Sequence, residues 1–370
     1  MKKKKLEKKK RKHVRVRDWA SSHETAFSHD RARHRRALVS LPTASADAES
    51  PIPHVPPNAL VVSHAKKWAF VLHEGTERLC IIDERLKEEN ATLLAPGDRV
   101  GIERDEEQWV VRTVGPRTTK LSRPAGPHDR VDEQLFATNV DVLLIVTAAE
   151  DPPFRVGLVD RYLIAAEVGG VEPILCVNKM DLVNTEPQEL HVYRELGIQV
   201  FTTSCVRGDG IEPLRKALQG KVTVLSGHSG VGKSTLLNTM DPHLAVYTQG
   251  MSSTHRGKHS TTLSRLYVLD GEITIIDTPG IRALGLWKVT AEELAFYFPE
   301  LAEAAERCQF RDCTHTHEPR CAVREAVETG QLAKERYASY LRIRASLQSE
   351  KNMTPGRLAP IHRLSPEDRK

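Results

Sequence analysis

Eight consecutive residues, Gly227-His228-Ser229-Gly230-Val231-Gly232-Lys233-Ser234, fit the pattern G-x-x-x-x-G-K-[ST] in full. Glycines at such spacing let successive backbone N–H groups face a triphosphate at a helix N-terminus, where the helix dipole also favours anions. In this pattern Lys233 is expected to reach the β- and γ-phosphates and Ser234 to hold Mg²⁺, with Thr235 closing the motif. The apolar run VTVLSG stands before it and the helical run TLLNTM follows, which is the strand–loop–helix context the motif needs.

A phosphate loop does not by itself choose between ATP and GTP. Two further motifs do. Asn178-Lys179-Met180-Asp181 ends the apolar run EPILCVN. Asn178 and Asp181 can hydrogen-bond a base edge, Asp181 accepting from the donor pair that guanine has and adenine lacks, while the Lys179 stem packs on the ring. Thr203-Ser204-Cys205 can line the same base pocket, with Ser204 and Cys205 as its contacts. Asp277-Thr278-Pro279-Gly280 ends another apolar run; Asp277 is placed to hold Mg²⁺ through water and Gly280 to offer its N–H to the γ-phosphate.

The polar, glycine-containing run TQGMSSTHRGKHSTTLSRL lies between phosphate loop and DTPG and reads as a mobile switch loop. Thr261, with Thr262 next to it, is the expected threonine ligand of Mg²⁺. Ile281 follows DTPG where many GTPases carry a water-positioning glutamine, and an isoleucine cannot do that work. His259 is the best substitute for orienting or deprotonating water.

Cys308-x4-Cys313-x-His315-x5-Cys321 puts three thiols and an imidazole within fourteen residues, a set suited to tetrahedral zinc. His317 is an alternative to His315. The set leaves no position open, so the zinc is read as structural. Cys80, Cys176 and Cys205 are read as unliganded.

These residues must be positioned by elements that the sequence also outlines. Residues 1–37 hold 15 Lys or Arg against 4 Asp or Glu, a net of +11, so the rest of the 370-residue chain carries 5 − 11 = −6. A basic run such as MKKKKLEKKKRKHVRVR cannot build a core and suits a salt-sensitive phosphate-backbone contact. Residues 1–57 are accordingly read as a basic disordered tail and a Pro/Ser/Ala-rich linker. Residues 58–120 contain five short apolar-alternating runs and read as an OB-fold-like β-barrel, an SH3-like barrel being similar in size. Residues 121–300 alternate strand and helix, the signature of a parallel sheet covered by helices. Residues 301–349 form a zinc-binding helical domain, and 350–370 a flexible tail. No apolar run approaches the ~18 residues of a membrane span, and the six cysteines are too few and scattered for a disulfide scaffold. A soluble, cytoplasmic chain is expected, with no membrane partner and nothing that demands more than a monomer.

The order of the motifs is unusual. The guanine-reading NKMD precedes the phosphate loop by about fifty residues, whereas an ordinary GTPase places it after. In a parallel α/β sheet the pocket depends on which strand ends are neighbours and not on chain order. The expected fold is therefore a circularly permuted P-loop GTPase domain between an N-terminal OB-fold barrel and a C-terminal zinc-binding helical domain, with the zinc segment entered directly from the second switch.

NKMDL, GHSGVGKSTLLN, GKHSTT, DTPGIRALGLW and the cysteine set, in this order, resemble the small ribosomal subunit biogenesis GTPases, the RsgA or YjeQ family; TTKLSRP and VDRYL support the resemblance. It covers roughly residues 58–349. It implies binding to the maturing small ribosomal subunit, GTP hydrolysis that is slow alone and stimulated by rRNA contacts, release on hydrolysis, and a barrel and zinc domain that touch RNA. It also implies that His259 serves hydrolysis. The sequence departs from the pattern in its lysine-rich tail and in Ser260, where a threonine is usual. From a different class, a GTP-gated RNA-binding scaffold with negligible hydrolysis is the alternative, and a metallochaperone GTPase would need a labile metal site.

Overall fold

The computed structural model describes residues 55–65, 67–86, 94–124, 133–242, 264–269, 272–278 and 286–353, with side chains to Ser349. His259, Thr261, Thr262, Gly280, Ile281 and the basic tail lie outside the described residues.

Five strands, β1 (Ala59–His64), β2 (Trp68–His73), β3 (Thr76–Ile82), β4 (Arg99–Asp105) and β5 (Gln108–Val114), close into a barrel in the order β1-β2-β3-β5-β4. β3 and β5 pair parallel, all other neighbours antiparallel, an OB-like closure. Alternate residues point inward, so Val61, Ala69, Val71, Cys80, Val100, Ile102 and Val111 form the barrel's core. Cys80 is thus a packing residue, and burial pushes its thiol up to about 11.

A two-stranded antiparallel sheet, β6 (Lys120–Pro124) and β7 (Glu133–Thr138), leads from the barrel into the main sheet. The main sheet has six strands in the order β10-β9-β8-β11-β13-β12: β8 (Val142–Ala148), β9 (Glu172–Asn178), β10 (Gln199–Thr202), β11 (Val222–Ser226), β12 (Arg265–Leu269) and β13 (Ile273–Asp277). Helices α1 (Val156–Gly169), α2 (Leu190–Glu195), α3 (Ile211–Leu218) and α4 (Lys233–Met240) connect them. β8 is buried along its whole length. This is the continuous apolar pattern of a strand covered on both faces, and two separate core clusters lie against the sheet.

Two details differ from the sequence reading. VLDGEITIID is not one strand: β12 and β13 form an antiparallel pair, with Arg265 opposite Asp277 and Leu269 opposite Ile273. The polar run expected as switch loop ends sooner, because its last two residues, Arg265 and Leu266, already belong to β12. Strand propensity at Leu266, Tyr267 and Val268, with Leu266 and Leu269 buried, outweighs the polar character of the residues before them.

The C-terminal part is helical: α5 (Pro299–Ala305), α6 (Ala322–Glu328) and α7 (Lys334–Met353). α7 packs on α1 through a buried ion-pair cluster. Arg336 donates through Nη1 to Asp160 Oδ1 and through Nε to Glu300 Oε1 at 2.6 Å, while Tyr193 donates to Asp160 at 2.9 Å. The Arg336 guanidinium lies 4.5 Å from the Phe298 ring centroid. With Arg336 and Asp160 almost wholly enclosed, this cluster fixes the C-terminal helices to the sheet. No helix among the described residues is long and apolar enough to cross a membrane.

Candidate functional site

Parallel neighbours β9, β8, β11 and β13 end together, and their carboxyl ends carry the candidate pocket. β11 runs straight into Gly227, the loop 227–232 follows, and α4 opens at Lys233. Gly227 has φ +151, and a Cβ there would lie 2.1 Å from the Val146 carbonyl oxygen of β8. The loop can therefore cross the sheet this closely only without a side chain at that position. Lys233 folds back over the loop, its Nζ donating to the Gly227 carbonyl at 2.8 Å and the His228 carbonyl at 2.9 Å. Burial pulls the Lys233 ammonium below its usual range and raises the Asp277 carboxyl, and each charge offsets the other's shift. Asp277 sits at the end of β13, paired in register with Leu225 of β11. A half-buried carboxylate beside the loop, with the exposed Ser234 at the start of α4, is a donor set that could hold a hard cation such as Mg²⁺.

The guanine-reading motif reaches the phosphate loop directly. Asn178, 2% exposed, donates through Nδ2 to the Val231 carbonyl at 3.0 Å. Its Oδ1 accepts from the Thr203 hydroxyl at 3.2 Å and from the Cys205 thiol at 3.3 Å. Three partners thus orient one amide. Asp181 accepts from the Ser204 hydroxyl at 2.6 Å, and this bond is the main reason its carboxyl lies below the usual range. Lys179 takes a left-handed backbone conformation (φ +61) and donates to the Asp151 carbonyl, which brings the segment after β8 to the rim. Asp151 carries no motif signal, so sequence reasoning passes it by.

Cys308, Cys313, His315 and Cys321 form a second centre, their four ligand atoms all within 4.8 Å of one another. His315 Nδ1 lies 3.6 Å from Cys308 Sγ and 3.5 Å from Cys321 Sγ, and those two sulfurs are 3.9 Å apart. With Zn–S of about 2.3 Å and Zn–N of about 2.0–2.1 Å, tetrahedral ligands should stand roughly 3.6 Å (S–N) and 3.8 Å (S–S) apart. The residues fit zinc. His315 is buried, with its carbonyl accepting from Tyr337 at 2.6 Å. His317 is exposed and its Nδ1 faces the Thr316 hydroxyl at 2.8 Å. The structure brings His315 to the three cysteines and leaves His317 outside. The tyrosines of α7 that hold the His315 loop, Tyr337 through His315 and Tyr340 through the Thr314 carbonyl at 3.1 Å, had no signal in the sequence beyond a helical pattern.

A doubly covered sheet whose base-reading strand precedes its phosphate loop in the chain defines a circularly permuted P-loop GTPase. The family model described as RsgA GTPase matches residues 114–287. The chain is 39% identical over 288 residues to the small ribosomal subunit biogenesis GTPase RsgA of Gemmatimonas aurantiaca, covering 76% of this chain and 94% of that one. It belongs to the RsgA GTPase family. The RsgA of Chlorobaculum tepidum is 41% identical over 270 residues, 70% of this chain and 87% of the relative. Among solved structures, YjeQ from Thermotoga maritima matches with a TM-score of 0.59 and 31% identity, covering 79% of this chain and 98% of that chain. YloQ, described as a circularly permuted GTPase, matches with a TM-score of 0.59 and 28% identity, over 81% and 99% of the two chains.

Proposed function

We propose that this chain hydrolyses GTP to GDP and phosphate on the maturing small ribosomal subunit, and that hydrolysis times its release late in assembly. The observation that carries the reading is the Asn178–Val231 hydrogen bond, which joins a guanine-reading strand end to a phosphate loop in one pocket. The relatives' printed names supply the ribosomal subunit.

In this reading Asn178, Lys179, Asp181, Ser204 and Cys205 surround the base, and residues 227–235 wrap the phosphates. Lys233 exchanges the Gly227 and His228 carbonyls for phosphate oxygens, and Gly280 offers its N–H to the γ-phosphate. Mg²⁺, held by Ser234, Thr261 and Asp277, supplies charge neutralisation on the phosphates. His259 orients the attacking water in place of the missing glutamine at Ile281. Zinc on Cys308, Cys313, His315 and Cys321 is structural. The barrel, the zinc domain and the basic tail contact rRNA, and the protein works as a monomer in the cytoplasm.

The deciding experiment is GTP turnover by the full chain alone, with small subunits, and with large subunits. Slow turnover alone and acceleration by small subunits only is the expected result. GTP binding without acceleration would sink the reading and favour a GTP-gated scaffold. His259→Ala should keep GTP binding and lose the acceleration; unchanged turnover would remove His259 from its role.

A further inference from the structure

The barrel meets the nucleotide-binding domain through two polar contacts of opposite character. One is enclosed. Asp98, fully buried before β4, accepts from the Arg117 guanidinium at 2.7 Å, the Thr138 hydroxyl at 2.7 Å and the Ala95 N–H at 2.8 Å. Thr138 ends β7 and stands just before β8, so this contact ties the barrel to the root of the main sheet. A buried charge with all its partners in place is costly to disturb.

The other contact is open to solvent. Glu77 of β3 accepts from Arg265 Nη2 through both carboxylate oxygens, at 3.0 and 2.8 Å, with the side chains 38% and 25% exposed. Arg265 is the first residue of β12, directly opposite Asp277 across the β12–β13 pair. Its Nε is buried with no partner, so the guanidinium is only partly satisfied where it lies. Exposed ion pairs hold weakly, and a small change in the position of β12 can exchange their partners.

We propose that Asp98 is the fixed anchor of the barrel and that Glu77–Arg265 is a breakable latch whose closure depends on the nucleotide. The proposal rests on the GTP reading above. β12 leaves the segment expected to sense the γ-phosphate, and its partner β13 ends on the residue expected to face Mg²⁺. A shift of β12 between the GDP and GTP states therefore arrives at Arg265 before any other residue that touches the barrel through a charge. Coupling of this kind is reciprocal. A partner that moves the barrel off β12 changes the relative affinity for GTP and GDP by the same factor as nucleotide exchange changes latch closure.

The test measures affinity of the full chain for GDP and for a non-hydrolysable GTP analogue, and hydrogen exchange of β2–β3 in both complexes. It uses wild type, Glu77→Gln, Arg265→Gln and the double variant. Glu77 lies in the barrel, so its substitution has no direct route to the nucleotide. Wild type should show nucleotide-dependent exchange in β2–β3. Each single variant should abolish that difference and shift the analogue-to-GDP affinity ratio by roughly two- to fivefold, the upper value equivalent to about 1 kcal/mol. The double variant should match the singles. Equal exchange of wild type in both complexes, an unchanged ratio in Glu77→Gln, or additive effects in the double variant would each overturn the latch. Absence of any guanine-nucleotide binding by wild type would instead overturn the function on which it rests.

Discussion

Gly232 is the position where the base-reading and phosphate-binding halves of the pocket press on each other, and Gly232→Ala tests that contact. Its φ is +93, and a Cβ built there would stand 2.4 Å from Asn178 Nδ2. Alanine at a left-handed position costs about 1–2 kcal/mol. The clash adds to this, because Asn178 is enclosed and can yield only by giving up its bond to the Val231 carbonyl, worth about 1 kcal/mol. Together these amount to about 2–3 kcal/mol, or a weakening of guanine-nucleotide binding by roughly 30- to 150-fold if the free loop relaxes and must be forced back on binding. If the loop cannot relax, the same energy appears as lost thermal stability. The assay is therefore paired: fluorescent GDP titration and thermal unfolding of the same preparation. Gly220→Ala is the control, since Gly220 has φ +70 with nothing within 4 Å of its Cβ; it should lower stability slightly and leave nucleotide binding alone. Gly232→Ala with binding within threefold of wild type and an unchanged melting temperature would refute the reasoning.

Other expectations follow from single contacts. Arg336→Met should destabilise the chain by about 3–5 kcal/mol in chemical unfolding, because it leaves the buried Asp160 carboxylate without its counter-ion; adding Asp160→Leu should recover part of the loss. Metal analysis should give one zinc per chain, retained in His317→Ala but lost in His315→Ala and Cys321→Ser with a lower melting temperature. The Arg85 side chain, bonded at 2.7 Å and aided by Arg112 at 2.8 Å, holds the Asp83 carboxyl well below the usual carboxylate range. A carboxyl depressed in the folded state stabilises fully above its unfolded value of about 4 and loses that contribution as pH falls toward the folded one. Asp83→Asn should therefore flatten the pH dependence of stability below about pH 4, and an unchanged acid transition would show that Asp83 does not contribute.

The pocket was legible from sequence because its parts are local. A phosphate loop needs its glycines and lysine in one short run, and NKMD, DTPG and the cysteine set are equally compact, so each can be read without knowing the fold. Motif order then restricts the topology, since only a sheet that brings the ends of β9, β11 and β13 together can make one site from them. The choice between His315 and His317 was not legible, because spacing satisfies zinc with either; the tyrosines of α7, more than twenty residues on, hold the loop that turns His315 inward. Nor was the β12–β13 turn, because an apolar run interrupted by Asp270-Gly271 looks much like a single strand with a polar gap.

Least legible are the contacts between domains. Asp98 and Thr138 are forty residues apart, Glu77 and Arg265 far more, and each is an ordinary polar residue in its own segment. Permutation adds to the difficulty. Here the strand that leaves the first switch is an edge strand lying beside the barrel, so a residue such as Arg265 is at once part of a sheet, near a phosphate site and at a domain contact. Cutting and rejoining a GTPase in this order leaves the pocket's chemistry where it was but changes what the second switch is connected to. The next element along the chain after DTPG is the helical part that carries the cysteines, and that part is bolted to α1 through Arg336. Any movement begun at DTPG must therefore be absorbed in the few residues between Asp277 and α5, or passed to the zinc-site loop that Tyr337 and Tyr340 hold against α7.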